Sequence, residues 1–168
     1  ESGIQVGFFD RLILAIKNGD IKLALSTSVS DESKILKNRN IIERAKTVLP
    51  NLIYDENPYT VIDNGQIYWV LDAYTVSSQY PYSTYAEIEY ENSRHYINYI
   101  RNSVKVIINA YNGDMTFYIT DRTDPIIMAY LKLYPTVFSD YTGEEIAEGI
   151  KEQFKYPEFL YKVQSKML

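Results

Sequence analysis

Isolated carboxylates in strand-like segments are the first candidates for chemistry in this sequence. Asp72 lies in the middle of such a segment, where a carboxylate must be solvated, ion-paired or functional. A glycosidase needs two carboxylates roughly 5 to 9 Å apart, and Asp63 or Asp121 is the candidate partner of Asp72. An ion pair or an exposed strand face explains Asp72 more simply, and helix capping explains Asp121 and Asp124. The sequence therefore assigns no catalytic residue.

The single histidine, His95, stands alone between Arg94 and Tyr96. A catalytic imidazole needs an orienting partner, so a histidine in contact with water is the simpler interpretation. The sequence contains no cysteine, which excludes disulfides, a thiol nucleophile and thiolate metal sites. It also contains no glycine-rich phosphate loop, nucleophile elbow, paired histidines at helical spacing or calcium-loop pattern. We predict no metal site and no cofactor.

Tyrosine is concentrated in the middle of the chain. Of the 17 tyrosines, six crowd the segment between residues 80 and 99. Aromatic faces with polar tips suit sugar stacking, peptide grooves and protein interfaces, and they also suit a lid over a sheet. An arginine beside aromatic rings can stack on them or bind an anion. The sequence predicts a contact surface made of Tyr74, Tyr80, Tyr82, Tyr85, Arg101 and Asn102.

Length and composition limit the class of protein. A chain of 168 residues fits one domain with a proper core, and 46% hydrophobic residues with only 7 glycines and 6 prolines are not typical of disordered or fibrous proteins. The net charge of −5 argues against nucleic-acid binding, because phosphate contacts need clustered Lys and Arg. No segment approaches the roughly 18 apolar residues of a spanning helix. We expect a single soluble domain over residues 1–168.

Two Asn-Gly pairs predict the strands that position these side chains. Asn64-Gly65 and Asn112-Gly113 each separate segments in which apolar residues alternate. A two-residue Asn-Gly link is a strong signal for a type I′ hairpin turn, since that turn needs positive φ at both positions. The sequence thus predicts β-hairpins over residues 59–76 and 103–120.

Capping residues and helical spacing predict helices on both sides of the hairpins. Asp124-Pro125 is a strong helix start, with a capping carboxylate followed by proline at the first helical position. Weaker signals of the same kind predict helices over residues 8–16, after Asp20, over residues 41–49, after Thr142 and Glu145, and after Pro157. The resulting fold class is α+β, a mainly antiparallel sheet flanked by N-terminal and C-terminal helices.

Several short segments together resemble a known protein family. They are residues 14–20, 33–36, 38–44, 68–75, 80–83, 97–106, 124–127 and 156–158. Their order and spacing resemble uncharacterised protein family 0182, large bacterial and cyanobacterial membrane proteins with several transmembrane helices followed by a large soluble region outside the cytoplasm. The resemblance implies that this chain is a piece of that region, on the extracytoplasmic side of the cell membrane. It supplies no catalytic residues, because the activity of the family is not established.

A second resemblance covers one hairpin only: residues 105–120 are similar to hairpins of the peptidase-propeptide (PepSY) type, whose modules lie outside cells and bind or inhibit peptidases. We expect a non-catalytic domain serving structure and interaction. Its partners would be the membrane-embedded part of its own chain, another envelope protein or a wall polymer. Two alternatives remain: a module that binds cell-wall glycan or peptide through the tyrosine-rich surface, and a hydrolase built on carboxylates such as Asp72.

Overall fold

The computed structural model describes residues 40–139 and 145–167, together with residues 4–5, 13, 16 and 34–35. The chain forms two compact units, residues 1–39 and residues 40–168. In the first unit, strand β1 (Ile4–Gln5) pairs antiparallel with β2 (Lys34–Ile35). The helix predicted over residues 8–16, apart from the helical Ile13 and Ile16, and the helix after Asp20 lie outside the described residues. A single domain over residues 1–168 stays a prediction.

The second unit confirms the α+β class. Its strands are β3 (Ile53–Tyr54), β4 (Tyr59–Asp63), β5 (Gln66–Ser77), β6 (Ala86–Tyr90), β7 (Ser93–Ile97), β8 (Tyr99–Asn109) and β9 (Met115–Ile119). Its helices are α1 (Ile41–Val48), α2 (Pro125–Leu133), α3 (Glu148–Lys151) and α4 (Glu158–Met167), with a 3₁₀ turn at Pro135–Val137. In the antiparallel main sheet, β5 pairs with β3 and β4 along one edge and with β8 along the other, and β8 pairs with β9.

The first predicted hairpin turns where the sequence places it. Asn64 and Gly65 have φ values of 47° and 74°, as a type I′ turn requires. The second hairpin is present, but its predicted two-residue turn at Asn112-Gly113 is wrong. Of that pair only Gly113 has a positive φ, and the loop between β8 and β9 spans residues 110–114. The Asn112 side chain instead accepts the backbone N–H of Asp114 at 3.0 Å, which builds a local asparagine turn inside the longer loop.

A third hairpin occupies the segment that the sequence indicated only as a connection. Strands β6 and β7 pair antiparallel around Glu91 and Asn92, whose φ values of 52° and 57° again form a type I′ turn. Glu-Asn is a weaker signal for this turn than Asn-Gly, because glycine adopts a positive φ without steric cost. Ile88 and Ile97 of this hairpin are buried against Val163 of α4.

The two faces of the main sheet carry different layers, as the alternation in β5 predicts. One face buries Trp69, Leu71 and Ala73 against α1 and α2. The opposite face carries Val70 and Ile107 and packs against Ile150 of α3. Fully burying such an aliphatic side chain contributes about 1.5–3 kcal/mol, so both layers stabilise the sheet.

The predicted helix ends are mostly confirmed. Helix α1 follows Asn40, whose Oδ1 accepts the N–H of Ile42 at 2.9 Å. Helix α2 follows Asp124, and α4 begins directly after Pro157. The helix predicted after Thr142 and Glu145 is shorter than expected: α3 begins at Glu148 and lasts one turn, while Thr142 lies outside the described residues.

Gln153 binds the sheet just after this short helix ends. Its side-chain amide accepts the N–H of Ile62 at 3.2 Å and donates to the carbonyl of Ile62 at 2.7 Å. These bonds match those that a neighbouring strand would make, so Gln153 covers part of the edge of β4. The backbone itself leaves the helix through tight turns, in which the N–H of Gln153 binds the carbonyl of Ile150 and the N–H of Phe154 binds that of Lys151, both at 3.1 Å.

Asp55 fastens helix α4 to the sheet. This carboxylate is 5% exposed, and its Oδ2 accepts both the Tyr74 hydroxyl at 2.9 Å and the backbone N–H of Phe159 at 3.0 Å. Phe159 lies in the first turn of α4, so Asp55 acts as a helix cap supplied from a residue far away in the sequence. Tyr74 supports the same junction, because its ring lies 5.4 Å from that of Phe159.

We expect Asp55→Ala to destabilise the chain by about 2–3 kcal/mol, because it leaves a buried tyrosine hydroxyl and a helix N–H without their acceptor. Urea denaturation followed by circular dichroism measures the change. Glu56→Ala is the matched control, since Glu56 is the adjacent acidic residue and is exposed. Equal stability of the two variants would contradict the capping role.

Candidate functional site

The exposed tyrosines lie on a short loop that is firmly held. This loop, residues 78–85, joins β5 to β6, and Tyr80, Tyr82 and Tyr85 on it are 43%, 108% and 60% exposed. Asn98 accepts the N–H of Tyr80 at 2.9 Å and donates to its carbonyl at 2.7 Å. Ser83 donates its hydroxyl to the carbonyl of Asn98 at 2.7 Å. The three tyrosine rings are therefore exposed although their loop is firmly attached to the rest of the fold.

Tyr99 and Arg101 of β8 support these rings. The ring of Tyr80 stacks on that of Tyr99, with centroids 4.7 Å apart, and the Arg101 guanidinium lies 5.8 Å from the Tyr99 centroid. Arg101 donates from one nitrogen to Asp121 Oδ2 at 2.8 Å and to the Thr123 hydroxyl at 2.7 Å. The charge of Arg101 is neutralised by Asp121, and these two bonds hold its guanidinium beside the ring of Tyr99. We name Tyr80, Tyr82, Tyr85, Tyr99 and Arg101 the tyrosine surface.

Tyr82 has an unusual backbone conformation. Its φ is 60°, in the left-handed region that bulky residues rarely adopt. Holding a non-glycine residue there costs about 1–3 kcal/mol. The ring of Tyr82 is fully exposed, so no burial of this side chain offsets the strain energy.

Asp124 connects the tyrosine surface to the core. It is fully buried, and its two oxygens accept hydrogen bonds from the hydroxyls of Thr75, Ser103 and Tyr99 and from the N–H of Ile126. Burial alone would raise the pKa of Asp124, but the hydrogen bonds outweigh it and hold this pKa below its ordinary value. Burial, and then the bond to Asp124, raise the pKa of Tyr99. Near neutral pH, Asp124 therefore stays ionised and Tyr99 stays protonated, and the hydrogen bond between them fixes the Tyr99 ring.

Two residues of the predicted contact surface, Tyr74 and Asn102, are not exposed side chains free to contact a partner. Tyr74 has no exposed surface, because its ring packs on Phe159 and its hydroxyl binds Asp55, so its placement on the surface is corrected. Asn102 is half-buried and donates its side-chain amide to the carbonyl of Ala73 at 3.2 Å. Tyr80, Tyr82, Tyr85 and Arg101 do lie on the surface, and their contact role stays a prediction.

Asp72, the carboxylate singled out from the sequence, forms a buried ion pair. It lies opposite Lys105 in the pairing of β5 with β8, and the Lys105 ammonium binds Asp72 Oδ1. Their side chains are 5% and 7% exposed. Burial raises the pKa of Asp72, and the charge and hydrogen bond of Lys105 oppose this shift. The ammonium also lies 4.7 Å from the ring centroid of Phe154, which shields the pair.

A cavity of about 660 Å³ has Asp72 of this ion pair among its lining residues. We name it the C-terminal cavity, because much of its wall comes from the segment around α4. Its lining residues include Tyr59, Asp72, Lys155, Tyr156, Glu158 and Tyr161. The ammonium of Lys155 lies 4.9 Å from the ring centroid of Tyr59. The wall thus combines aromatic rings with charged groups of both signs.

The carboxylate pairs considered for a hydrolase do not meet as predicted. Asp63 lines a different cavity, of about 240 Å³, and Asp121 binds Arg101. Asp55 does line the C-terminal cavity together with Asp72, but it caps α4. His95 is exposed on β7. Within residues 40–139 and 145–167, no three His, Cys, Asp or Glu side chains are grouped to hold a metal ion.

Comparisons with known proteins identify the family. The model of an uncharacterised protein family, UPF0182, matches residues 1–168. This chain belongs to the UPF0182 family. It is 50% identical to a UPF0182 protein of Clostridium tetani over 99% of this chain and 18% of that relative. It is also 48% identical to one of Clostridium novyi and 46% identical to one of Clostridium botulinum, over 17% and 18% of their lengths.

The UPF0182 chain therefore spans less than a fifth of the length of the curated relatives that it matches. No solved structure matches it. Among the residues that the structure describes, no helix is both long and apolar enough to cross a bilayer. The family resemblance stated from the sequence is confirmed, and the names of the relatives assign no activity.

Sequence reasoning missed three residues that organise these sites in the UPF0182 chain. From the sequence, Tyr99 is one of the six tyrosines between residues 80 and 99, Lys105 lies in a predicted strand, and Asp55 has no predicted role. The position of Lys105 could have indicated its role, since a lysine inside a strand of alternating apolar residues needs a charged partner when it is buried. Asp55 gave no such signal, because its helix partner Phe159 is 104 residues away.

We expect Asp124→Asn to be less stable than the unmodified chain by about 2–3 kcal/mol at pH 7, because several buried donors lose an ionised acceptor. The folded-state pKa of Asp124 lies below 3.8, so its contribution is present above pH 3.8 and is lost as the pH falls through the folded-state value. Urea denaturation between pH 2 and pH 7 should show the two proteins converging in acid. Glu152→Gln, at an exposed carboxyl, is the control. A stability difference that does not change with pH would contradict the lowered pKa.

We expect Lys105→Met to cost about 3–5 kcal/mol, because it leaves the charge of Asp72 buried without its counter-ion. The double variant Asp72→Leu/Lys105→Met should recover most of this loss, since replacing a whole buried ion pair by apolar residues is often neutral or better. A double-mutant cycle of unfolding free energies measures the coupling. Additive effects of the two substitutions would contradict the coupling of the two charges.

Proposed function

We propose that this chain is a non-catalytic interaction module of a larger membrane protein, acting on the extracytoplasmic side through the tyrosine surface. The observation that carries the proposal is Tyr82: a fully exposed tyrosine in a left-handed conformation on a pinned loop. Glycine or asparagine suits this backbone better. A large ring at this position, which stabilises nothing within the described residues by burial, is explained by a contact with a partner.

The neighbouring rings strengthen this argument. Tyr80 rests on Tyr99, and Tyr99 is fixed by Asp124 from beneath. An aromatic group that is already ordered loses little conformational entropy on binding, which is one reason that tyrosine is enriched at interfaces. Arg101 adds a second residue type that is common at the centre of interfaces.

The partner that we propose is another part of the same protein. The chain covers 18% of the length of the relatives from Clostridium tetani and Clostridium botulinum, so most of each relative lies outside the matched segment. In the arrangement that the resemblance implies, a membrane-spanning part precedes a large external region. A module of this region that docks against the membrane-embedded part needs exposed, rigid aromatic groups and no reactive site.

The first test uses Tyr82→Gly. Glycine relieves the left-handed strain, so the unfolding free energy should stay within about 1 kcal/mol of that of the unmodified chain. Loss of the ring should weaken binding at least about tenfold, because a tyrosine at an interface commonly contributes more than about 1.4 kcal/mol. The measurement is biolayer interferometry of the immobilised 168-residue chain with the remainder of its own full-length protein in nanodiscs.

Tyr111→Ala is the matched control, because Tyr111 is 62% exposed and lies on the loop between β8 and β9. This variant should bind like the unmodified chain. Two results would overturn the proposal: unchanged affinity of the Tyr82→Gly variant, or no binding by the unmodified chain.

A further inference from the structure

We propose that the C-terminal cavity binds a short, neutral saccharide. Its volume of about 660 Å³ lies within the roughly 300–1,000 Å³ of small-molecule sites. The site is distinct from the tyrosine surface, since Tyr80, Tyr82 and Tyr85 are not among its lining residues.

The floor of the cavity holds a fixed, buried polar group. Asp72 is 5% exposed and is anchored by Lys105 from the neighbouring strand. A buried ion pair is weak as a source of stability, and apolar residues of similar size would serve a purely structural layer as well. A carboxylate held at the base of an open cavity instead offers an immobile acceptor for the hydroxyl groups of a ligand.

The walls supply aromatic faces. Tyr156 and Tyr161 are 62% and 63% exposed, and both line the cavity. The Tyr156 hydroxyl donates to Gln164 Oε1 at 2.8 Å, which orients the ring along α4. Exposed aromatic rings can pack on the C–H faces of sugar rings while polar groups take the hydroxyls.

The charges around the cavity favour a neutral ligand. Glu158 is paired with Lys162 at 2.7 Å and accepts the amide of Asn57 at 3.1 Å. Asp72 is matched by Lys105. A cationic ligand would have to compete with Lys105 and Lys162 for these carboxylates. An anionic ligand would meet three carboxylates of the lining, including Asp55, against one lysine, Lys155. A saccharide can hydrogen-bond to the same oxygens and keep the pairs intact.

The test is a titration of the isotope-labelled 168-residue chain with maltotriose, cellotriose and triacetylchitotriose, followed by NMR chemical shifts and calorimetry. We expect saturable binding of at least one saccharide, with the largest shifts at Tyr59, Asp72 and Tyr161. Tyr156→Ala/Tyr161→Ala should weaken it at least fivefold. Both rings are exposed, so this variant should fold normally.

Tyr111→Ala is again the matched control, because its 62% exposure equals that of Tyr156. It should bind saccharide normally, and so should Tyr82→Gly, which separates this proposal from the proposed interaction surface. Binding of trilysine alone, which would identify a cationic peptide site, would overturn the proposal. So would the absence of saccharide binding up to about 20 mM in a folded chain, or binding that the double tyrosine variant leaves unchanged.

Discussion

The carboxylate of Asp124 is the interaction on which most of this structure depends. It caps helix α2 through the N–H of Ile126 and accepts hydroxyls from Thr75 on β5 and Ser103 on β8. One side chain thus joins a helix to the two central strands. The Tyr99 hydroxyl is its fourth donor, so the same carboxylate also orients the ring beneath Tyr80. A local capping signal in the sequence therefore acts as the junction between the core and the exposed aromatic rings.

The opposite face of the sheet uses charge differently. Asp72 and Lys105 are neighbours across the central pair of strands, and each desolvates the other. Such a pair stabilises a fold little, because removing two charges from water costs about as much as their attraction returns. We therefore interpret the pair beside the C-terminal cavity as a means of holding a hydrogen-bond acceptor there, and not as a means of packing the sheet. The ring of Phe154 covers the Lys105 ammonium, and Tyr59 lines the cavity beside Asp72.

The sequence predicts those parts of the fold that adjacent residues decide. The turn at Asn64-Gly65 and the start of α2 at Asp124 each follow from the conformational preferences of two or three neighbouring residues. The sequence does not predict the hairpin at Glu91-Asn92, because these residues adopt a left-handed conformation less readily than glycine does. The burial of Tyr74 has no local sign, since it depends on Asp55 and α4. For the same reason the C-terminal cavity could not be predicted, whereas the exposure of the loop tyrosines could.

The two candidate surfaces share one construction. Asp124 accepts a helix N–H and the hydroxyl of Tyr99, and Asp55 accepts a helix N–H and the hydroxyl of Tyr74. In each case a buried carboxylate fastens a helix to a tyrosine of the central strands, and exposed rings stand beside the junction. For Asp124 these hydrogen bonds hold the pKa below its ordinary value, so this carboxylate stays ionised and is a poor base. Both aspartates hold a helix in place through these hydrogen bonds, and the exposed rings beside them are the groups that we propose for contact with a partner and with a ligand.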